Sequence, residues 1–475
     1  MVFADKPSVT VGSKAFTESY VLAEIISQVL EQANEVKVVR KFGLGGTGIP
    51  FEALKRGSID LYPEYSGTIT EAILKTHAAS DLGEIRKELV PLNMTITDSL
   101  GFNNTYALAV SGKIAEEKNL RDISDLVKAS DIRVGFSHEF LNRADGYPGL
   151  SAKYDIKLKN VKGLEHSLAY EAINRGEIDL TDAYSTDAKI QRFNLKILHD
   201  DKKFFPDYFA VILAKKDFPQ RFPKSWAALK NLEGTISERE IQELNGFSDL
   251  DKIGFSQIAS LFLNKKVSPK KEDAILGKVW VYTKQHLALV SISLFVSILF
   301  GLPLGVFAAR FRRLGQFILV ISGVIQTIPS LALLSFFIPL FGIGTIPSLV
   351  ALFLYGLLPI VIGTYTAMIS IDKGLLESSR ALGLTAFQRL ILIELPLCSP
   401  AIMAGIKTSA IITIGTATLA ALIGAGGYGT PIVTGLALND TSTILQGAVP
   451  AALMSLITYG LFGIFDRIII PKGLR

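Results

Sequence analysis

Phe51-Glu-Ala-Leu-Lys-Arg-Gly-Ser-Ile-Asp-Leu61 and Tyr170-Glu-Ala-Ile-Asn-Arg-Gly-Glu-Ile-Asp-Leu180 share one pattern, and the likeness continues to Tyr65-Ser66 and Tyr184-Ser185. Each copy reads as a helix, a glycine stop, a strand, and a tyrosine beyond the strand's carboxyl end. That end is where open α/β sheets bind ligands. Two lobes facing each other would bring Tyr65 and Tyr184 into one cleft. No nucleophile–base constellation stands out, so the chemistry is assigned to binding and no catalysis is expected of this chain.

A second stretch has a different character. Leu375 to Pro396, LLESSRALGLTAFQRLILIELP, is the polar interval between two apolar regions, since Leu314–Ile371 and Thr408–Asn439 carry no charged residue. Leu375, Ser379, Leu382, Ala386 and Leu390 recur at helical spacing as a small-and-apolar face. Gly383 permits a sharp turn and Pro396 suits a helix start. The stretch therefore reads as an amphipathic helix–turn–helix that offers a face to a partner.

The elements that must position these residues fall into two halves. The chain has 475 residues with a formal net charge of +5. Residues 1–264 read as an α/β domain with a largely parallel sheet. Its strands are expected at Ser8–Val11, Glu35–Phe42 and Ile59–Tyr62, and its helices at Ser19–Leu30, with Thr17 as N-cap, and Pro50–Arg56. Ala107–Val110 and Phe209–Ala214 are placed as two crossings between lobes. Lobe one would span about residues 1–105 and 210–264, and lobe two about 106–209, on a hinge. Residues 265–276, charged and containing Pro269, read as a linker.

Residues 277–475 read as a transmembrane domain. Spans are expected near Leu287–Ala309, Phe317–Phe341, Ile346–Ile369, Pro400–Ile423 and Ile444–Phe465. Lys and Arg follow the first, third and fifth spans and are missing after the second and fourth. This places Leu375–Pro396 and the C-terminus in the cytoplasm and residues 1–264 outside, with Lys278 and Lys284 running weakly against the rule. Lys407 is an intramembrane charge, read as close enough to the cytoplasmic end to snorkel. The single cysteine, Cys398, excludes an internal disulfide and a cysteine-rich metal site. The basic residues are scattered, which argues against nucleic acid as a partner. Val2-Phe3-Ala4 has the small-x-small form of a signal-peptidase site, so Met1 reads as a start on a chain whose signal was removed.

Glu377-Ser-Ser-Arg-Ala-Leu-Gly383 followed by Ile393-Glu-Leu-Pro396 resembles the EAA loop of importer-type ABC permeases, with serines in place of two alanines. Ile423-Gly-Ala-Gly-Gly-Tyr-Gly429 adds to that resemblance. The soluble half resembles the binding proteins of quaternary-amine importers through Val11-Gly-Ser-Lys-Ala-Phe-Thr-Glu18, Gly45-Gly-Thr47, Tyr62-Pro-Glu-Tyr-Ser-Gly-Thr68, Glu139–Arg143, Asp145–Gly149 and Asp182–Asp187. The resemblance implies a two-lobed binding-protein domain of type II fused to an all-α permease. It implies a tyrosine cage of Tyr65, Tyr106, Tyr184 and Tyr208 around a trimethylammonium group. Lys14, Thr68 and Arg143 would hold a carboxylate. Asn104 stands where some relatives place an acid beside the cation, which removes a charge and leaves the ligand open among glycine betaine, choline, carnitine and ergothioneine. Glu377, Arg380, Ala381, Gly383, Leu395 and Pro396 would couple the permease to a cytoplasmic ATPase.

No G-x-x-x-x-G-K-[ST] occurs in the chain, so ATP and its Mg²⁺ are expected on a separate ATPase subunit, and no cofactor or metal on this chain. One coupling stretch per chain implies a homodimer in a cell inner (cytoplasmic) membrane, with lipid around it. A ligand-gated channel would need a pore element and no coupling loop. A sensor would need a cytoplasmic output domain, and about ten residues follow the last span.

Overall fold

The computed structural model describes residues 6–75, 81–263 and 275–474. The chain forms two compact units, Met1–Glu272 with Val433–Thr441, and Asp273–Ile432 with Ser442–Arg475. The expected signal-peptidase site lies outside the described residues, as does most of the expected linker. Ile275 already belongs to a helix, Ile275–Arg310.

In the first unit the described residues form ten strands in two sheets. They are β1 (Ser8–Gly12), β2 (Lys37–Lys41), β3 (Leu61–Tyr65), β4 (Met94–Ile96), β5 (Tyr106–Ser111), β6 (Arg133–Ser137), β7 (Asn160–Leu164), β8 (Leu180–Tyr184), β9 (Leu195–Leu198) and β10 (Ala210–Lys215). One sheet runs β2-β1-β3-β10-β4 and the other β7-β6-β8-β5-β9. Each is parallel through its first three strands and then receives one antiparallel strand, β10 against β3 and β5 against β8. The two copies of the repeat occupy equivalent places. Helices Gly48–Lys55 and His166–Asn174 are each closed by a glycine at positive φ, Gly57 (φ 75°) and Gly176 (φ 69°), before β3 and β8. A β-carbon resists that backbone region, which explains the residue type at both turns.

The central strands are buried on both faces: β10 reads as a near-continuous apolar run, and β3 is buried throughout, Glu64 included. Helix Thr17–Ala33 packs beside the first sheet and is buried along Thr17–Leu30, including Glu18 and Glu24. Thr17 is its first residue, not its N-cap; Phe16 precedes it, and the Thr17 hydroxyl donates to Asp249 Oδ1 at 2.6 Å. The two segments read as crossings are instead members of one sheet each. The chain changes sheet just before them, where Asn103 and Phe209 form an isolated antiparallel bridge.

Among the described residues, the second unit has four helices long and apolar enough to cross a membrane: Gly277–Arg310, Thr345–Ile369, Ala386–Ile423 and Thr441–Ile469. The stretch expected as one span over Phe317–Phe341 is broken into Arg313–Thr327 and Ser330–Phe341, bent by 98°. Pro329 is the cause. It has no N–H for the helical ladder and forces Ile328 out of the α region, to ψ 125°. Helices approach closely at small residues. A β-carbon at Gly305 would lie 2.5 Å from the Thr364 β-carbon, and one at Gly356 2.7 Å from Ser409 Oγ.

Lys407 lies midway along helix Leu395–Ala417, not near an end, and its ammonium stands 3.3 Å from the Tyr459 ring centroid. The coupling stretch is a helix Lys373–Ala381, capped by the Asp372 carboxylate, and a short helix Ala386–Arg389 opened by a Thr385–Gln388 capping box. Gly383 turns the chain between them at φ 76°. The single expected face does not persist through that turn: Ser379 is buried, whereas Leu375, Leu382 and Ala386 are exposed.

Candidate functional site

The repeat places Tyr65 and Tyr184 at the carboxyl ends of equivalent strands. Tyr106 opens β5 directly opposite Tyr184 in the antiparallel register. Tyr208 precedes β10, whose first residue Ala210 faces Tyr65. Two sheets meeting at the Asn103–Phe209 bridge thus aim four tyrosines at one place. Lys14, Tyr65, Thr68, Asn104, Tyr106, Arg143, Tyr184 and Tyr208 all line a single cleft of about 20 Å³, together with Phe16 and Glu139. A broader depression of about 680 Å³, bordered by Lys55, Pro91, Met94 and Lys216, lies elsewhere on lobe one and contains none of these residues.

The rings approach at angles rather than in parallel stacks. Tyr106 and Tyr184 have centroids 5.3 Å apart at 41°, and Tyr106 and Tyr208 are 5.6 Å apart at 90°. Phe16, which sequence reasoning passed over, stands 6.3 Å from Tyr65 and 5.6 Å from Tyr184. Ring faces carry negative potential, so such a wall attracts cations. The chain's own cations already use it. Lys14 Nζ lies 5.0 Å from the Tyr65 centroid, and the Arg143 guanidinium 5.7 Å from that of Tyr106.

Both cations also have internal carboxylates. Lys14 Nζ donates to Glu64 Oε1 at 2.5 Å, with both side chains almost fully buried. Arg143 grips Asp145 with two nitrogens, Nε donating to Oδ1 at 2.8 Å, and the Tyr208 hydroxyl donates to the same carboxylate at 2.5 Å. Buried charges demand such partners, because unpaired they would cost several kcal/mol. The bidentate fork expected for a ligand carboxylate is engaged by Asp145.

An acid does stand next to Asn104, buried behind it and not among the residues that line the cleft. Asn104 Nδ2 donates to Glu18 Oε1 at 2.8 Å. Glu18 also accepts from the Tyr65 hydroxyl (2.6 Å), Thr186 Oγ1 (2.5 Å) and Asn245 Nδ2 (2.9 Å). Burial pushes the Glu18 carboxyl up, against the lowering pull of those hydrogen bonds. Tyr65 ends β3 in one sheet and Thr186 lies just past the end of β8 in the other, so Glu18 ties the two lobes together beneath the tyrosines. The signal was present, since Glu18 ends the quoted Val11–Glu18 stretch, but an acid in a first helical turn ordinarily faces water. Glu139 makes a second tie: its Oε1 accepts from the Thr47 amide at 3.1 Å. A β-carbon on Gly46 would sit 2.2 Å from that oxygen, so a larger residue there would push the Glu139 carboxylate off this contact.

At the far end of the chain, the coupling residues are placed as follows. Glu377, Arg380, Ala381 and Gly383 are exposed around the turn, and Leu395 and Pro396 begin the next membrane helix. Just before them Glu394, buried, accepts from Arg310 at 2.5 Å and so fastens the stretch to the first membrane helix.

Residues 7–265 match the family described as the substrate-binding domain of ABC-type glycine betaine transport systems. The chain belongs to that family. Residues 301–472 of this glycine betaine-type chain match binding-protein-dependent transport system inner membrane components. The glycine betaine/carnitine/choline transport system permease protein OpuCB of Bacillus subtilis is 42% identical over 199 residues, covering 42% of this chain and 92% of that protein. The carnitine transport binding protein OpuCC of Listeria monocytogenes is 33% identical over 270 residues, 55% of this chain and 88% of that protein. The ergothioneine transport permease/ergothioneine binding protein EgtU of Helicobacter pylori is 33% identical over 266 residues, covering 55% of this chain and 48% of that protein. A crystal structure described as a glycine betaine/carnitine/choline ABC transporter is 30% identical with a TM-score of 0.47, covering 54% of this chain and 97% of that one. The chain is thus a binding protein and a permease in one polypeptide, a subunit of an ABC importer.

Proposed function

We propose that this chain captures a quaternary amine, of the glycine betaine, choline or carnitine kind, in the tyrosine cleft and passes it through a pore built by its membrane half. The observation that carries the reading is the ring wall of Tyr65, Tyr106, Tyr184 and Tyr208 at the meeting point of two lobes. A quaternary ammonium donates no hydrogen bond, so ring faces and apolar contact are what recognise it. Each desolvated cation–π contact contributes about 0.5–2 kcal/mol. A cleft of about 20 Å³ admits one water-sized group, so the lobes part about the Asn103–Phe209 crossing to let a trimethylammonium in. The carboxylate of a zwitterion competes with Glu64 and Asp145 for Lys14 and Arg143.

Transport then uses a cytoplasmic ATPase docked on Leu375–Pro396, with the tyrosine cleft on the opposite side of the membrane, as the Lys and Arg distribution indicates. One coupling stretch per chain supports a homodimer with two ATPase copies. The relative named for ergothioneine, itself named as permease and binding protein together, makes that betaine the second candidate. Calorimetric titration of the purified full chain with glycine betaine, carnitine, choline and ergothioneine tests the reading. Saturable binding of at least one is expected, and no heat from any of the four would refute it.

A further inference from the structure

Lys407 stands about 18 Å of helix from Leu395 and about 15 Å from Ala417, at roughly 1.5 Å per residue, in a bilayer core about 30 Å thick. Its ammonium rests on the ring of Tyr459 in helix Thr441–Ile469. Among the described residues, no carboxylate of the membrane half pairs with it. Asp372, Glu377, Glu394, Asp440 and Asp466 all stand near span ends in sequence. A charged side chain facing hydrocarbon at mid-depth costs about 2.5–3.5 kcal/mol, so such residues face a protein interior or a water-filled path.

The composition of the helix points the same way. Its exposed positions Ala404, Thr408, Ile411 and Gly415, spaced along one side, are mostly small or polar. Exposed positions elsewhere carry lipid-compatible bulk, as at Phe295, Leu299, Leu456 and Ile468. Tyr459 itself is 58% exposed. The pairing repeats what the outer cleft does, where Lys14 and Arg143 rest on the rings of Tyr65 and Tyr106.

We infer that Lys407 and Tyr459 form a transient contact for a zwitterionic quaternary amine on its way through the membrane half. The Tyr459 ring takes the substrate's ammonium in place of the lysine's, and Lys407 turns to the substrate's carboxylate. This rests on the proposed function and adds a second site to it.

The test uses the full chain with its ATPase in proteoliposomes, measuring uptake of glycine betaine and of choline, which lacks a carboxylate, alongside calorimetric binding at the outer cleft. Tyr459→Leu should cut uptake of both about tenfold or more, whereas Tyr459→Phe, which keeps the ring, should stay within about twofold. Lys407→Met should cut glycine betaine uptake about tenfold and choline uptake less than about threefold. Outer-cleft binding should be unchanged throughout. Should Tyr459→Leu fail to insert, Tyr459→Met serves as the ringless variant. Equal loss in Tyr459→Phe and the ringless variant, or equal loss of both substrates in Lys407→Met, would overturn the contact. So would undiminished uptake in the ringless variant with binding intact. A wild-type chain that binds none of glycine betaine, carnitine, choline and ergothioneine would instead sink the functional reading.

Discussion

Tyr184 is held from behind as firmly as it is placed from in front. The His166 ring lies 4.4 Å from its centroid, and Asp187 joins the two by accepting from His166 Nε2 (2.9 Å) and from the Tyr184 amide (3.0 Å). Burial alone would lower the His166 pKa, but Asp187 and Asp182 outweigh it and hold it at about 10. A histidine raised from its ordinary 6.5 contributes stability that is whole below pH 6.5 and lost as pH rises through about 10. Urea unfolding of the wild type should therefore lose more stability between these pH values than His166→Gln does; parallel losses would deny the charge pair. For the cage itself, Tyr184→Phe should keep most of the affinity and Tyr184→Ala should lose about tenfold or more, near 1.4 kcal/mol, by calorimetry. Equal losses would assign the hydroxyl, not the ring face. Tyr65 and Tyr184 were legible in the sequence because the repeat fixes a strand end before each. Tyr106, Tyr208, Lys14, Thr68, Asn104 and Arg143 came from the resemblance alone, and Phe16 and Glu139 from neither. Glu18 was not legible, because its burial depends on Thr186 and Asn245, far along the chain.

At the scale of elements, β1, β2, β3 and the repeat follow from local pattern, while the joints between elements do not. β5 and β10 were visible as apolar runs, yet the sheet each one joins is decided by distant pairing with β8 and β3. The second span was visible as hydropathy, and Pro329 was there to break it, but hydropathy weighs composition and not backbone geometry. The amphipathic face drawn through Leu375–Leu390 failed for a related reason. Helical spacing cannot be counted through a glycine at φ 76°. Nothing lies within 4 Å of where a Gly383 β-carbon would be, so space is no obstacle there and backbone conformation is. Gly383→Val should therefore strain the turn by about 1–2 kcal/mol or unfold it locally. Uptake driven by the ATPase should fall while ligand binding by the same chain stays unchanged. Normal coupled uptake by Gly383→Val would show that the turn does not carry the coupling.

For the whole molecule, fusion changes the arithmetic of delivery. A binding domain tethered to its permease is present there at roughly millimolar effective concentration, whatever the dilution outside. A homodimer would carry two such domains for one pore. All of this depends on the cleft recognising positive charge through ring faces, and one comparison isolates that term. Choline and its neutral isostere, in which carbon replaces the ammonium nitrogen, have nearly the same shape and apolar surface. Calorimetry on the purified chain should show choline binding at least about tenfold more tightly, since several desolvated cation–π contacts are lost with the charge. Equal affinity for the two would contradict the account, because the tyrosines would then be selecting shape alone.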